Sequence, residues 1–162
     1  MGGGCGRSAS PRRRARSGNS RRALRVKTQH LITEELLLVV WLGSLWTIGL
    51  LVAPLLFQLL PHAEAGLVAG VLFQIGQAMA AACIAGLLML CWQRQGLRWL
   101  LLVLLGLTLV NLLAVMPQVS ALRSAGVQAS FALWHGVASS LYLGQCLGGL
   151  AVLWLRHAVR AL

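Results

Sequence analysis

Acidic residues are almost missing from this chain: Glu34, Glu35 and Glu64 are its three carboxylate side chains, against fourteen Lys and Arg. Charge of either sign is scarce, at 10% of residues where a soluble domain carries about 25%. Four long apolar stretches contain no Asp, Glu, Lys or Arg at all. That absence argues against a proton-driven pump or a voltage sensor, which work through charge held inside the membrane. Short cysteine pairs are missing too. Cys5, Cys83, Cys91 and Cys146 show no C-x-x-C or similar spacing, so neither a disulfide framework nor a zinc site is expected. A free cysteine in an apolar span behaves as a small hydrophobic side chain.

Apolar residues dominate instead, at 58% of the 162 residues. The longest run, Leu36 to Leu60, holds 25 positions without a charge. As a helix it would extend ~38 Å at ~1.5 Å per residue, more than the ~30 Å hydrocarbon core of a bilayer. Three further apolar stretches follow, and the pattern predicts spans at about 35–60, 65–92, 98–116 and 130–154. Thr33, Glu34 and Glu35 make a favourable first turn, with carboxylates at the positive end of the helix dipole. Pro54 falls inside the first span and demands a kink or a new partner for the carbonyl it frees. Pro61-His62-Ala63-Glu64 reads as one short turn and Arg94 to Arg98 as another. Pro117 should stop the third helix ahead of a polar loop through Ser120, Arg123, Ser124 and Gln128. The fold expected over residues 30–162 is an all-α integral membrane protein, an antiparallel four-helix transmembrane bundle.

A net charge of +11 ordinarily suggests nucleic acid, but nine of the fourteen basic residues precede Gln29, and the spans have none. Basic flanks beside apolar spans orient a membrane protein, so no nucleic-acid partner is expected. With the N-terminus inside, inner segments hold those nine plus Arg94, Arg98, Arg156 and Arg160, and the outer loops hold Arg123 alone. The positive-inside rule then puts both termini in the cytoplasm, with Trp41, Trp92, Trp99 and Trp154 in an inner aromatic belt. Residues 1–29, rich in Gly, Ser and Arg, cannot bury a core and are expected to be a disordered basic leader. Met1-Gly2 opens like a myristoylation site, but Gly6 stands where Ser or Thr belongs. Ser20-Arg21-Arg22 resembles a twin-arginine export motif without a small-residue cleavage site after it. Residues 1–23 read as a dispensable arm or a mistaken extension, since Leu24 and Val26 are residues whose codons can start bacterial translation.

Small residues should mediate helix contacts, because lipid provides no hydrophobic drive between helices. Gly66 with Gly70, and Gly144 with Gly148, have the required spacing and mark faces for homo- or hetero-oligomer contact. Polar residues inside the spans form stripes. His135, Ser139, Tyr142 and Cys146 share a face of the fourth helix. Trp41, Ser44, Thr47, Pro54 and Gln58 keep one side of the first, beside Gly43 and Phe57. Gln74 and Gln77 pair on the second, and Thr108 and Asn111 on the third. His135 has two readings, an interhelical hydrogen bond or a ligand. With Met116 and His62 toward the same outer side, it would make a copper-like metal set.

Trp41-Leu42-Gly43, Ala53-Pro54-Leu55-Leu56-Phe57, Ala65-Gly66 with Phe73, and the run Phe131 to Ser139 together resemble the transmembrane protein 205-like family. The resemblance covers about Leu36 to Trp154 and implies a four-helix, often bacterial, membrane protein without a known activity. The first helix is also distantly similar to copper-resistance D and HemJ-type membrane proteins, which implies copper transfer or haem-pathway chemistry. The function expected is that of a multi-pass protein of the bacterial inner membrane. It is not expected to be an enzyme or to hold a resident cofactor, and it would act through helix–helix or partner contacts. The alternatives are a transporter or binding protein for a copper-like metal or small solute, and a haem-linked redox enzyme.

Overall fold

Helices account for all the regular structure among the described residues. The computed structural model describes the backbone of residues 11–160 and the side chains of residues 25 and 28–156. The expectations for Met1-Gly2 and Cys5 lie outside those residues. In chain order, α1 is Pro11–Trp46, followed by a π-helical turn Thr47–Val52 and α2 at Ala53–Leu59. Then come α3 at His62–Leu90, α4 at Gln95–Val110, a second π-helical turn Asn111–Val115, α5 at Met116–Ser124 and α6 at Gln128–Arg160. Four helices are long and apolar enough to cross a bilayer: Thr28–Leu59, His62–Leu90, Gln95–Ser124 and Gln128–Arg156. This is a multi-pass membrane protein. The chain forms two compact units, up to Glu35 and from Leu36 onward, and the packing described below belongs to the second.

Two boundaries differ from the sequence expectation. α1 is already helical through residues 11–29, where disorder is expected, rather than beginning near Thr33. Thr33 is consequently interior and caps nothing: its hydroxyl donates to the Gln29 carbonyl at 2.9 Å. The second boundary concerns Pro117, which does not end its helix. The N–H of Met116 reaches back five residues to Asn111, as that of Ala53 does to Ile48. Each π turn lies just ahead of a proline, Pro117 or Pro54, and the wider ladder accommodates the ring so that the helix continues.

Ser120, Arg123 and Ser124 are therefore helical. The serine hydroxyls bond backward, Ser120 to the Pro117 carbonyl at 2.8 Å and Ser124 to that of Ser120 at 3.0 Å. Gly126 (φ 69°) ends α5 in the left-handed region. Its N–H bonds the Arg123 carbonyl at 3.2 Å and that of Val127 bonds Leu122 at 3.3 Å, the paired bonds of a Schellman cap.

The main core lies toward one end of the helices. Leu38, Trp41 and Leu45 of α1, Ile84 and Leu87 of α3, Leu101 and Leu104 of α4 and Val152 of α6 are buried together. Trp41 is 0% exposed and so leaves the expected aromatic belt; its place at Leu38-x-x-Trp41-x-x-x-Leu45 puts it on the buried stripe. Trp92, Trp99 and Trp154 are exposed, and the Arg98 guanidinium sits 5.2 and 5.4 Å from the Trp92 and Trp99 rings. Cys83 and Cys91 belong to this core and Cys146 packs against it. Gly148 and Gly149 of α6 receive the Leu104 and Leu42 side chains, so Gly148 works within the chain.

Candidate functional site

Beyond the core, each helix turns to small residues: Gly49 and Ala53 on the first span, Gly66, Ala69 and Gly70 on α3, Ala138 on α6. They leave a chamber of about 320 Å³ to which all four spans contribute. Phe57, Phe73, Met116 and Val119 complete its apolar wall. A second cavity of about 530 Å³ abuts it, lined by His62, Ala63, Leu122, Gly126, Val127, Gln128 and Phe131. Phe57, Gly66, Arg123 and His135 line both, so they form the partition between chamber and vestibule. Gly49, Gln77, Asn111 and Tyr142 line the chamber alone and mark its far end.

Arg123 is the one charged side chain in the partition. One guanidinium N–H (Nη1) donates to the Gly66 carbonyl, and the group lies 5.3 Å from the Phe131 ring centre. No carboxylate among the described residues pairs with it. Gly66 and Gly70 are its bed: a Cβ at either would stand 3.5 or 3.6 Å from the guanidinium. Gly66 is itself buried. This four-residue glycine spacing, read from the sequence as an oligomer face, therefore seats an internal arginine. The Schellman cap at Gly126 places Arg123 in the last turn of α5, where the helix dipole favours a cation.

His135 stacks on Phe131, with ring centres 5.6 Å apart and planes inclined by 12°. Its carbonyl accepts from the Ser139 hydroxyl at 2.9 Å. Tyr142 donates to the Leu45 carbonyl and meets Phe73 edge-on at 5.2 Å. Its ring lies over Gly49, where a Cβ would come within 2.8 Å of it. At the far end Gln77 is 1% and Asn111 2% exposed, yet Gln77 Oε1 and Nε2 and Asn111 Oδ1 have no partner. Thr108, by contrast, is satisfied through the Leu104 carbonyl at 2.7 Å.

The structure brings together part of each sequence-derived set. Phe57, His135, Ser139 and Tyr142 meet around the chamber. Trp41 does not, being in the core. Gly43 is exposed with no neighbour in reach, and exposed Pro54 contributes through the π turn beside Ala53. Met116 and His135 line the chamber, whereas His62 lines only the vestibule, edge-on to Phe57 at 6.0 Å. Among the described residues no three His, Cys, Asp or Glu side chains converge for a metal. Gln74 is exposed while Gln77 is buried, so that pair is split between lipid and chamber. Two residues escape sequence reasoning. Arg123 looks like a loop charge until the helix is carried through Pro117, and Gln145, 0% exposed with both amide atoms unpartnered, sits in no recognisable motif.

No curated protein matches this chain, and no solved structure does. A family profile matches residues 36–128, more than half of the chain, and stops where α6 begins. With four membrane-spanning helices and that match, the chain belongs to the family described as Domain of unknown function (DUF4149).

Proposed function

We propose that this protein is a non-enzymatic binding module of the bacterial inner membrane that holds a small solute in the chamber between its four spans. The observation that carries this reading is a pair of buried amides in the chamber wall, Gln77 with neither amide atom partnered and Asn111 with its Oδ1 unpartnered. Leaving such a group unpaired costs about 1–3 kcal/mol. A bound solute with hydrogen-bonding groups would offset that cost, and a chamber of this size falls within the ~300–1,000 Å³ of small-molecule sites. Binding is favoured over chemistry because the Ser139 and Tyr142 hydroxyls are committed to backbone carbonyls.

The charge distribution supports antiparallel spans with both termini in the cytoplasm, which turns the vestibule and Arg123 to the outer side. The finer likeness to the transmembrane protein 205-like family is consistent with the same architecture. A copper-like ion is disfavoured by electrostatics, since Met116 and His135 share the chamber with the Arg123 guanidinium. Assembly through glycine faces would rest on Gly144, because Gly66, Gly70 and Gly148 are occupied from within.

The test is to extract the full chain from native membranes in polymer-bounded lipid discs and to analyse its bound small molecules by mass spectrometry. Wild type should retain a species that Ala138→Phe, which fills the chamber, loses. Identical bound species in the two proteins would make the chamber a packing gap and end this reading.

A further inference from the structure

The chamber is polarised, and its charge is uncompensated. Arg123 stands at the partition, and no carboxylate lines either cavity. Asn111, at the far end, lies ~18 Å from Arg123 along the same continuous helix at ~1.5 Å per residue. Between them the wall is largely apolar, with Phe57, Phe73 and Val119 lining the space and the Ser139 hydroxyl, committed to the His135 carbonyl, beside them. We propose that the chamber selects an amphipathic monoanion. Its carboxylate or phosphate-ester oxygens meet Arg123, its compact apolar body lies against Phe57, Phe73 and Val119, and a neutral polar group faces Gln77 and Asn111. This rests on the chamber's being a solute site, and it names the class of solute.

Each part of that ligand answers a feature of the site. Guanidinium offers five N–H donors in a planar fork, and the Gly66 carbonyl takes one. The remainder suit two oxyanion lone pairs presented together. A neutral ligand would strip water from the cation without replacing its counter-charge, which is costly in an apolar wall. A bare inorganic anion would leave the aromatic wall uncovered and the far amides unpaired. A cation would meet the guanidinium directly. His62 and Gln128 in the vestibule add donors, and no acidic group, along the way in.

The ligand could come from two sources, a single-chain lipid entering from the bilayer or a solute arriving through the vestibule. A competition experiment separates them. The full chain in phosphatidylcholine nanodiscs is photolabelled with a decanoic acid bearing a diazirine in its chain, and label is mapped to the peptides carrying Phe73 and Val119. Decanoate should displace the label at about a tenfold lower concentration than decanol, the least expected from one charge-assisted hydrogen-bonded pair. Arg123→Gln should erase that preference and Arg123→Lys should keep most of it, with helix content followed by circular dichroism. Should Arg123→Gln fail to fold, the acid-over-alcohol ratio in wild type decides alone. Displacement by water-soluble phenylacetate as readily as by decanoate assigns the site to a solute; displacement by decanoate only assigns it to a lipid. Equal displacement by decanol and decanoate in wild type would overturn the anion preference while leaving a solute site. No displaceable label on either peptide would remove the solute site as well.

Discussion

Replacing Gln77 by Leu tests the physical claim beneath the chamber. Gln77 is 1% exposed and neither amide atom has a partner, so the empty protein carries an uncompensated amide inside an apolar wall. Leucine is similar in reach and has no polar group to satisfy. The gain would be about 1–3 kcal/mol for a buried amide in a soluble protein. In a bilayer the unfolded reference also buries this side chain and finds it partners, which lowers the expectation to about 0.6 kcal/mol, with an upper bound of about 1.7 kcal/mol. For a chain of this length that corresponds to a rise of roughly 1–2 °C in Tm, with an upper bound of about 6 °C. The assay is thermal unfolding in lipid nanodiscs, followed by tryptophan fluorescence, on protein stripped of bound small molecules. Stripped Gln77→Leu should melt later than stripped wild type, while Gln77→Leu from native membranes should retain less solute. A stripped variant that melts earlier would show that the Gln77 amide is already paired within the protein, and the argument from unsatisfied groups would fail.

Gly49→Ala should cost about 1–3 kcal/mol, because its Cβ would stand 2.8 Å from the Tyr142 ring and the ring must leave the Leu45 carbonyl. In a Tyr142→Leu background most of that cost should vanish, and an unchanged cost in this double-mutant cycle would contradict the packing. Gly126→Ala forces a Cβ into the left-handed region at φ 69° and should lower stability by about 1–2 kcal/mol, with Gly126→Asn milder; equal melting of all three proteins would refute the cap. A cysteine at Gln128 should react with a membrane-impermeant thiol reagent added to the periplasmic side, and one at Gln95 should not. The reverse pattern would invert the topology.

The sequence by itself determined that this chain spans a membrane four times. Length and the absence of charge suffice for that, because a bilayer leaves an apolar run of ~20 residues little alternative to a helix. It also located the turn at Pro61 and the exposed Trp92, Trp99 and Trp154, since these follow from local composition. Candidate residues were legible as a type, small and weakly polar, but not as a constellation. His135, Ser139 and Tyr142 share a helical face by periodicity alone, and all three line the chamber. Only the tertiary structure decided what they face. Proline rules predict a break at Pro117, and the π turn at Asn111–Val115 cancels it, which is a cooperative property of the ladder rather than of any one residue. That single extension moves Arg123 from a solvent loop to the chamber wall. The Gly66–Gly70 spacing illustrates the same limit. A missing side chain states that something comes close, but whether that is another helix, another copy or an arginine from 57 positions away depends on packing that no local pattern encodes.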